Sequence, residues 1–162
     1  MISEPNPHAQ EEFFNAIRSG NLVQLEKSAK EDPKLVETMT PNGFTPLIIA
    51  AYNNQVDVVA LLIRLGANTD AQDHSGNTAL IGACFKGYID IIKLLIENGS
   101  NPNLTNYTQS SALIFAATYG HLEIVQYLLN HKANASHKDG KGQTALDYAH
   151  LQENKAIVTL LS

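Results

Sequence analysis

The sequence has few of the residues on which disulfides, zinc sites and membrane segments depend. Its single cysteine, Cys84, excludes an intramolecular disulfide and a multi-cysteine zinc site. No apolar run approaches the roughly 18 residues that a membrane-spanning helix needs. The opening MISEPNPHAQEEFF has neither the positive start nor the apolar centre of a signal peptide. We therefore expect a cytoplasmic protein that does not bind a membrane.

Clusters of Lys and Arg are absent too. The net charge is -5, and nucleic-acid-binding proteins usually present a basic patch, so neither DNA nor RNA is an expected partner. Residues 1–81 contain ten Asp and Glu against five Lys and Arg, whereas residues 82–162 contain six of each. The acidic first half indicates either attraction for a basic partner or only a contribution to solubility.

Motifs for catalysis and metal binding are missing as well. The sequence has no HExxH, no CxxC and no phosphate-binding glycine-rich loop. Two pairs leave alternatives open. His131 and His137 either approach a common metal or are solvated turn residues. Ser111, next to Ser110, is either a nucleophile or the hydroxyl residue that opens a helix. We expect no enzyme activity, no cofactor and no metal, and we expect Cys84 to be a buried small residue.

The clearest positive feature is an internal repeat of 33 residues. Hydroxyl residues keep this spacing at Thr45, Thr78, Ser111 and Thr144. Pairs of small residues keep it at Ala50-Ala51, Ala83-Cys84 and Ala116-Ala117. Leucines keep it at Leu62, Leu95, Leu128 and Leu161. Self-similarity at a fixed period of this length indicates stacked supersecondary units.

Each unit contains the signals of two short helices. Thr45 can cap a helix that Pro46 begins. The second helix has a one-sided apolar stripe at Val56, Val59, Leu62 and Ile63, and acidic residues recur in the first turn of the second helices, at Asp57, Asp90 and Glu123. One unit cannot bury its stripe alone, so the units must stack. Gly66 and Gly99 can close the second helices in the left-handed conformation, whereas Lys132 in that position predicts a helix end that is either strained or closed differently.

The period, the helix pairs and the T-P-L pattern at Thr45-Pro46-Leu47 resemble the ankyrin repeat over about residues 12–162. The resemblance implies an all-α solenoid of about five helix-turn-helix repeats with polar capping repeats. It divides the chain into a tail (1–11) and one domain with repeats at about 12–39, 40–72, 73–105, 106–138 and 139–162. The nearest likeness is to small, self-contained bacterial members, and the end at Ser162 is consistent with a complete array.

The sequence departs from the family pattern at two places. The histidine of the T-P-L-H motif is replaced by Ile48, Ile81, Ile114 and Asp147, which predicts more apolar junctions between turns. Gln109 stands where other units have a turn glycine. If that position requires a positive φ, Gln109 is strained by roughly 1–2 kcal/mol. The turn is then either a remodelled binding tip or a drifted turn of another type.

The family resemblance also implies where a partner docks, namely the concave face formed by the turn tips and the first helices. Transferred residue by residue, the predicted contact residues are Phe44, Tyr52, Asn53, His74, Asn77, Phe85, Lys86, Tyr107, Gln109, Tyr119 and Leu151. Aromatic residues are the usual interface anchors. The alternative is that Tyr52 and Phe85 only pack on neighbouring helices. We also expect Phe115 to lean into the space that Gly82 leaves.

The sequence therefore predicts a non-catalytic module, monomeric by expectation, that binds a partner protein. Inhibitor, immunity-like and effector roles are all variants of this function. A structural scaffold that self-associates is the alternative. Fold alone does not select among these functions.

Overall fold

The computed structural model describes residues 5–162, and in this part of the chain it contains ten α-helices, one 3-10 helix and a single isolated bridge between Thr105 and Ser111. The α-helices are α1 (Pro7–Ser19), α2 (Leu22–Glu31), α3 (Pro46–Tyr52), α4 (Val56–Arg64), α5 (Ala79–Lys86), α6 (Ile89–Glu97), α7 (Ala112–Thr118), α8 (Leu122–Asn130), α9 (Ala145–Leu151) and α10 (Lys155–Leu161). The 3-10 helix, Pro33–Glu37, follows α2. None of the described helices has the length and apolar character needed to cross a bilayer.

The hydroxyl residues of the repeat cap α3, α5, α7 and α9, as predicted. The Thr45 hydroxyl accepts the Ile48 N–H at 3.2 Å, and Thr78 and Ser111 make the equivalent bonds at 3.2 and 3.3 Å. Ser111 is therefore the helix-opening residue of its unit. In α9 the cap is reciprocal, because the Asp147 carboxylate also accepts the Thr144 N–H at 2.8 Å.

The second helices of the three central hairpins begin differently. No side chain caps α4, α6 or α8. Instead, the predicted acidic residues occupy their first turns, at Asp57, Asp90 and Glu123, where a negative charge stabilises the exposed N–H groups. Gly66 and Gly99 follow α4 and α6 with φ of 95° and 94°, as expected, and Lys132 follows α8 with φ 67°. Lys132 is thus held in a conformation that disfavours a side chain.

Small residues bring the first helices together. The pairs at positions 50–51, 83–84 and 116–117 are completely buried, so that α3, α5, α7 and α9 pack closely in series. The second helices α4, α6, α8 and α10 contact one another less extensively. This difference is the one expected of a solenoid whose concave face is formed by the first helices and the turn tips.

The N-terminal end corrects one expectation. Helix α1 begins at Pro7, with the Asn6 side chain accepting the His8 N–H at 2.9 Å, so residues 7–11 are helical although they were assigned to a tail. Residues 1–4 of that tail lie outside the described part of the chain. The missed signal was the combination of an Asn cap with Pro at the first helical position. The rest of the division into repeats remains a prediction.

Candidate partner-binding groove

Buried carboxylates hold two of the turn tips. Asp73 accepts the N–H groups of Ser75 and Asn77 at 2.8 and 2.9 Å. Asp139 binds the corresponding groups of Lys141 and Gln143 at 2.9 and 3.0 Å. Each tip is therefore fixed by its own side chain before any partner arrives, which lowers the entropic cost of binding.

The tip at Gln109 keeps the turn of the glycine units. Gln109 has φ 60°, against 79° at Gly76, and both N–H groups donate to the carbonyl three residues earlier at 2.9 Å. Asn106 replaces the aspartate, and its side-chain oxygen accepts the Ser110 N–H at 3.0 Å. The alternative of a drifted turn type is wrong, because the turn is retained with a strained residue in it.

Neighbouring tips contact one another. The Tyr107 N–H donates to the Ser75 carbonyl at 3.0 Å, and its ring covers Gly76 so closely that a β-carbon there would lie 2.6 Å away. The His74 ring covers Gly43 in the same way. The Asn77 side-chain oxygen accepts from the Asn106 amide at 3.0 Å. His74, Asn77 and Tyr107 therefore join the tips into a row, besides being predicted contact residues.

Aromatic side chains form a connected column along the first helices. The Tyr52 and Phe85 rings are stacked with centroids 6.4 Å apart, and Phe85 meets Tyr119 edge to face at 4.8 Å. Phe85 also meets Phe115 at 6.3 Å. Tyr52 and Tyr119 remain 46% and 50% exposed. The rings therefore pack on one another, as the alternative predicted, and the two tyrosines also present apolar surface to solvent.

A pocket of about 570 Å³ lies between the tips and this column. Its lining consists of Asn42, Phe44, Ile48, Ile49, Tyr52, Asn53, Asp73, His74, Ser75, Asn77, Thr78, Ile81, Gly82, Phe85 and Phe115. Gly82 has no side chain, and a β-carbon built there would meet only one atom within 4 Å, Cδ2 of Tyr52 at 3.6 Å. Phe115 therefore does not fill this space as we expected, and the space belongs to the pocket.

The pocket brings together six of the eleven predicted contact residues, namely Phe44, Tyr52, Asn53, His74, Asn77 and Phe85. Lys86 lies beside the pocket, with Nζ 4.8 Å from the centre of the Tyr52 ring. Tyr119 does not line the pocket itself but contacts Phe85, which does. Tyr107, Gln109 and Leu151 lie outside the pocket. Leu151 is the final residue of α9, and its side chain is 68% exposed.

The isoleucine side chains that line the pocket were not among the contact residues predicted from the sequence. Ile48 and Ile49 lie four and three residues before Tyr52 and line the same pocket, and Ile81 does so before Phe85. The signal was available in the helical period, because residues three and four apart share a face.

The cysteine and the two histidines considered as reactive or metal-binding residues are each buried or hydrogen-bonded within the fold. Cys84 is fully buried, and burial raises the pKa of its thiol far above the usual range, so the reactive thiolate is suppressed. A His131 ring nitrogen lies 2.8 Å from the Tyr127 carbonyl, and one of His137 lies 2.7 Å from the Gln109 carbonyl. Within residues 5–162 no three His, Cys, Asp or Glu side chains group as a metal site would require.

Most of the acidic residues of the first half lie away from the groove, which is the surface formed by the turn tips, the pocket and the aromatic column. Among its described residues only Asp73 lines the pocket, and its carboxylate is occupied by backbone N–H groups. The others lie on α1, α2 and α4 or in the segments that follow α2 and α4. The groove therefore does not carry the negative charge that would attract a basic partner.

Comparison with known proteins agrees with this architecture. Two family models match the chain, one described as "Ankyrin repeats (3 copies)" over residues 13–106 and one as "Ankyrin repeats (many copies)" over residues 95–149. Together they cover residues 13–149, from within α1 to within α9.

Curated relatives match a shorter segment. Ankyrin repeat and SAM domain-containing protein 6 of Rattus norvegicus is 36% identical over 62 residues, which is 38% of this chain and 7% of that protein. The Danio rerio protein of the same name is 32% identical over 62 residues, 38% of this chain and 8% of its own length. The chain thus spans less than a tenth of these relatives. Both organisms are vertebrates, so the expected likeness to bacterial members gains no support.

Proposed function

This chain belongs to the ankyrin-repeat family, and from that premise we propose that it is a non-catalytic module that binds a partner protein on its concave face. Ankyrin repeats generally mediate protein–protein interactions. The observation that carries the proposal is the aromatic column of Tyr52, Phe85 and Tyr119 beside a preformed pocket, in which the two tyrosines are about half exposed.

Two physical features support binding at this place. Contiguous exposed apolar surface is uncommon on proteins that have no partner, and aromatic side chains in a pocket are the usual source of binding energy. The groove is also rigid, because its tips are hydrogen-bonded internally and to their neighbours. Inhibitor, immunity-like and effector proteins could all act through such a contact.

A pull-down with a groove variant tests the proposal. Tyr52→Ala, Phe85→Ala and Tyr119→Ala, combined in one variant, should recover the partner at least about tenfold less well than the natural sequence, because the anchors are lost. The control variant is Val23→Ala with Leu122→Ala, which truncates exposed apolar residues on α2 and α8 and should recover the partner fully. Thermal melts verify that both variants fold.

Equal recovery by the groove variant and the natural sequence would show that the partner binds elsewhere. Light scattering over a range of concentrations distinguishes the self-associating scaffold. A mass that rises with concentration, and that falls in the groove variant, would identify a second copy of the chain as the occupant and contradict binding to a different protein.

A further inference from the structure

Charge is unevenly divided between the two sides of the stack. On the turn tips and first helices between residues 41 and 152 the carboxylates are Asp73, Asp139 and Asp147, and each accepts hydrogen bonds from its own turn or helix start. The exposed charges on these elements are cationic, Lys86 and Lys141. Three carboxylates against two lysines give these elements a net charge of -1, and the remaining -4 of the chain's net charge of -5 lies on the second helices, the N-terminal repeat and the connecting segments.

Lys86 places a cation at the pocket. Its Nζ lies over the Tyr52 ring at 4.8 Å, and no carboxylate of residues 5–162 lies within ion-pair distance of it. A lysine over an aromatic ring keeps a solvated ammonium in a fixed place. Lys86 is thus positioned to bind an anionic group next to the pocket.

A second cation continues the same column. The Ala16 carbonyl accepts the Asn21 N–H at 2.9 Å, as the Ala50 carbonyl accepts the Gln55 N–H at 3.0 Å. Arg18 therefore has the position on α1 that Tyr52 has on α3, and it is exposed. Its guanidinium donates to Asn15 Oδ1 at 3.0 Å on the same helix and does not line the pocket, so Lys86 is the cation nearest the pocket.

The pocket itself has room for one large side chain. Other units have Ile49, Phe115 and Tyr148 at the position of Gly82, so this glycine opens a notch in a wall that is otherwise continuous. Asn42, Asn53 and Ser75 stand exposed around it and offer hydrogen bonds to the backbone of an inserted segment. An apolar centre with a polar rim is the usual anatomy of an anchoring site.

We propose that the occupant is an extended acidic segment of the partner protein, with one bulky apolar side chain inserted over Gly82 and a carboxylate bound by Lys86. This inference rests on the proposed function and names the chemistry of the partner. Charge complementarity selects the acidic segment, because the exposed charges along the groove are cationic although the chain as a whole is acidic.

Selection from a phage-displayed library of random 12-residue peptides on the immobilised full chain tests the proposal. The selected peptides should combine one Leu, Ile, Met or Phe with at least one Asp or Glu within about four residues. Fluorescence anisotropy with a synthetic selected peptide should show affinity weakened at least about tenfold by Lys86→Glu and by Gly82→Leu. Replacing the acidic residue of the peptide by Lys should restore binding to the Lys86→Glu variant.

Two control variants isolate these effects. Lys155→Glu makes the same change in net charge on exposed α10 and should alter the affinity less than about threefold. Gly82→Ala leaves most of the pocket open and should bind nearly as well as the natural sequence. Lys86 is exposed, so its substitution keeps the test valid even if Gly82→Leu fails to fold.

The outcomes separate the two proposals. Selected peptides that bind through Tyr52 and Phe85 but are basic, or are indifferent to Lys86→Glu, overturn the acidic segment and leave the proposed function standing. Failure to select any peptide overturns binding of a linear segment, while the pull-down still decides whether a folded partner occupies the face. Peptides whose binding ignores both the pocket and the column contradict both proposals.

Discussion

At the scale of single residues, the molecule tolerates strain where its sequence departs from its own repeat. Gln109 and Lys132 adopt positive φ at positions where other units have glycine. Both sit in turns whose hydrogen bonds match those of the glycine units. The hydrogen bonds of the surrounding turn therefore determine the backbone conformation, and a residue with a side chain is held there with conformational strain.

Replacing Gln109 by Gly should raise the free energy of unfolding by roughly 0.5–1 kcal/mol. The substitution removes about 1–2 kcal/mol of left-handed strain but increases the entropy of the unfolded chain. Urea denaturation measures the difference. Gln143→Gly is the matched control, because Gln143 follows its turn glycine and has no positive φ, so that change should destabilise. If both variants lose stability alike, Gln109 carries no strain.

At the scale of elements, the last hairpin has a side-chain hydrogen bond that is not repeated in the other units within residues 5–162. The Tyr148 hydroxyl on α9 donates to the Asp139 carboxylate at 2.7 Å. Burial tends to raise the pKa of Asp139, but the hydrogen bonds from Tyr148, Gln143 and Lys141 outweigh it and lower that pKa. The same bond raises the pKa of Tyr148. The turn and the helix are thus coupled through a charged acceptor.

The lowered pKa of Asp139 has a consequence for stability. A carboxyl with a depressed pKa stabilises the fold above its unfolded pKa of about 3.9, and the contribution disappears as the pH falls through the folded pKa. Tyr148→Phe should lower the free energy of unfolding by about 1–2 kcal/mol at pH 7 and by less at pH 3. Urea denaturation at both values checks this, and an equal loss at both would contradict it.

The 33-residue repeat made the helix starts predictable from the sequence, but it did not predict the contacts between separate elements. Thr45, Thr78 and Ser111 identified the helix starts, because capping depends on residues three apart in the chain. The contact of Tyr148 with Asp139 and the opening beside Gly82 depend on how separate elements approach, which one sequence does not state. The first repeat was expected from about residue 12, whereas α1 begins at Pro7, and Asn6 with Pro7 carried the signal for that start.

At the scale of the whole molecule, the stack is not equally secured at its two ends. Helix α1 buries Phe13, Phe14, Ala16 and Ile17, whereas Ile157 is the one buried residue of α10. In a linear array each unit is stabilised mainly by its neighbours. The C-terminal hairpin should therefore open before the rest.

Amide hydrogen exchange tests this order of opening. The amides of α10 should exchange at least about tenfold faster than those of α6, where Ile91, Ile92 and Leu95 are fully buried, because local opening exposes few apolar contacts. Amides in α1 should behave like those of α6. Uniform protection along the chain would mean that the stack opens only as a unit.

The burial of Cys84 makes the groove easy to observe. Since the natural thiol is enclosed and its ionisation suppressed, a maleimide dye should ignore it under native conditions. A cysteine introduced at Asn53, on the exposed rim, would then take the dye alone. Cys84 therefore does not have to be substituted before labelling. An environment-sensitive fluorophore at position 53 would change its emission whenever a partner occupies the concave face.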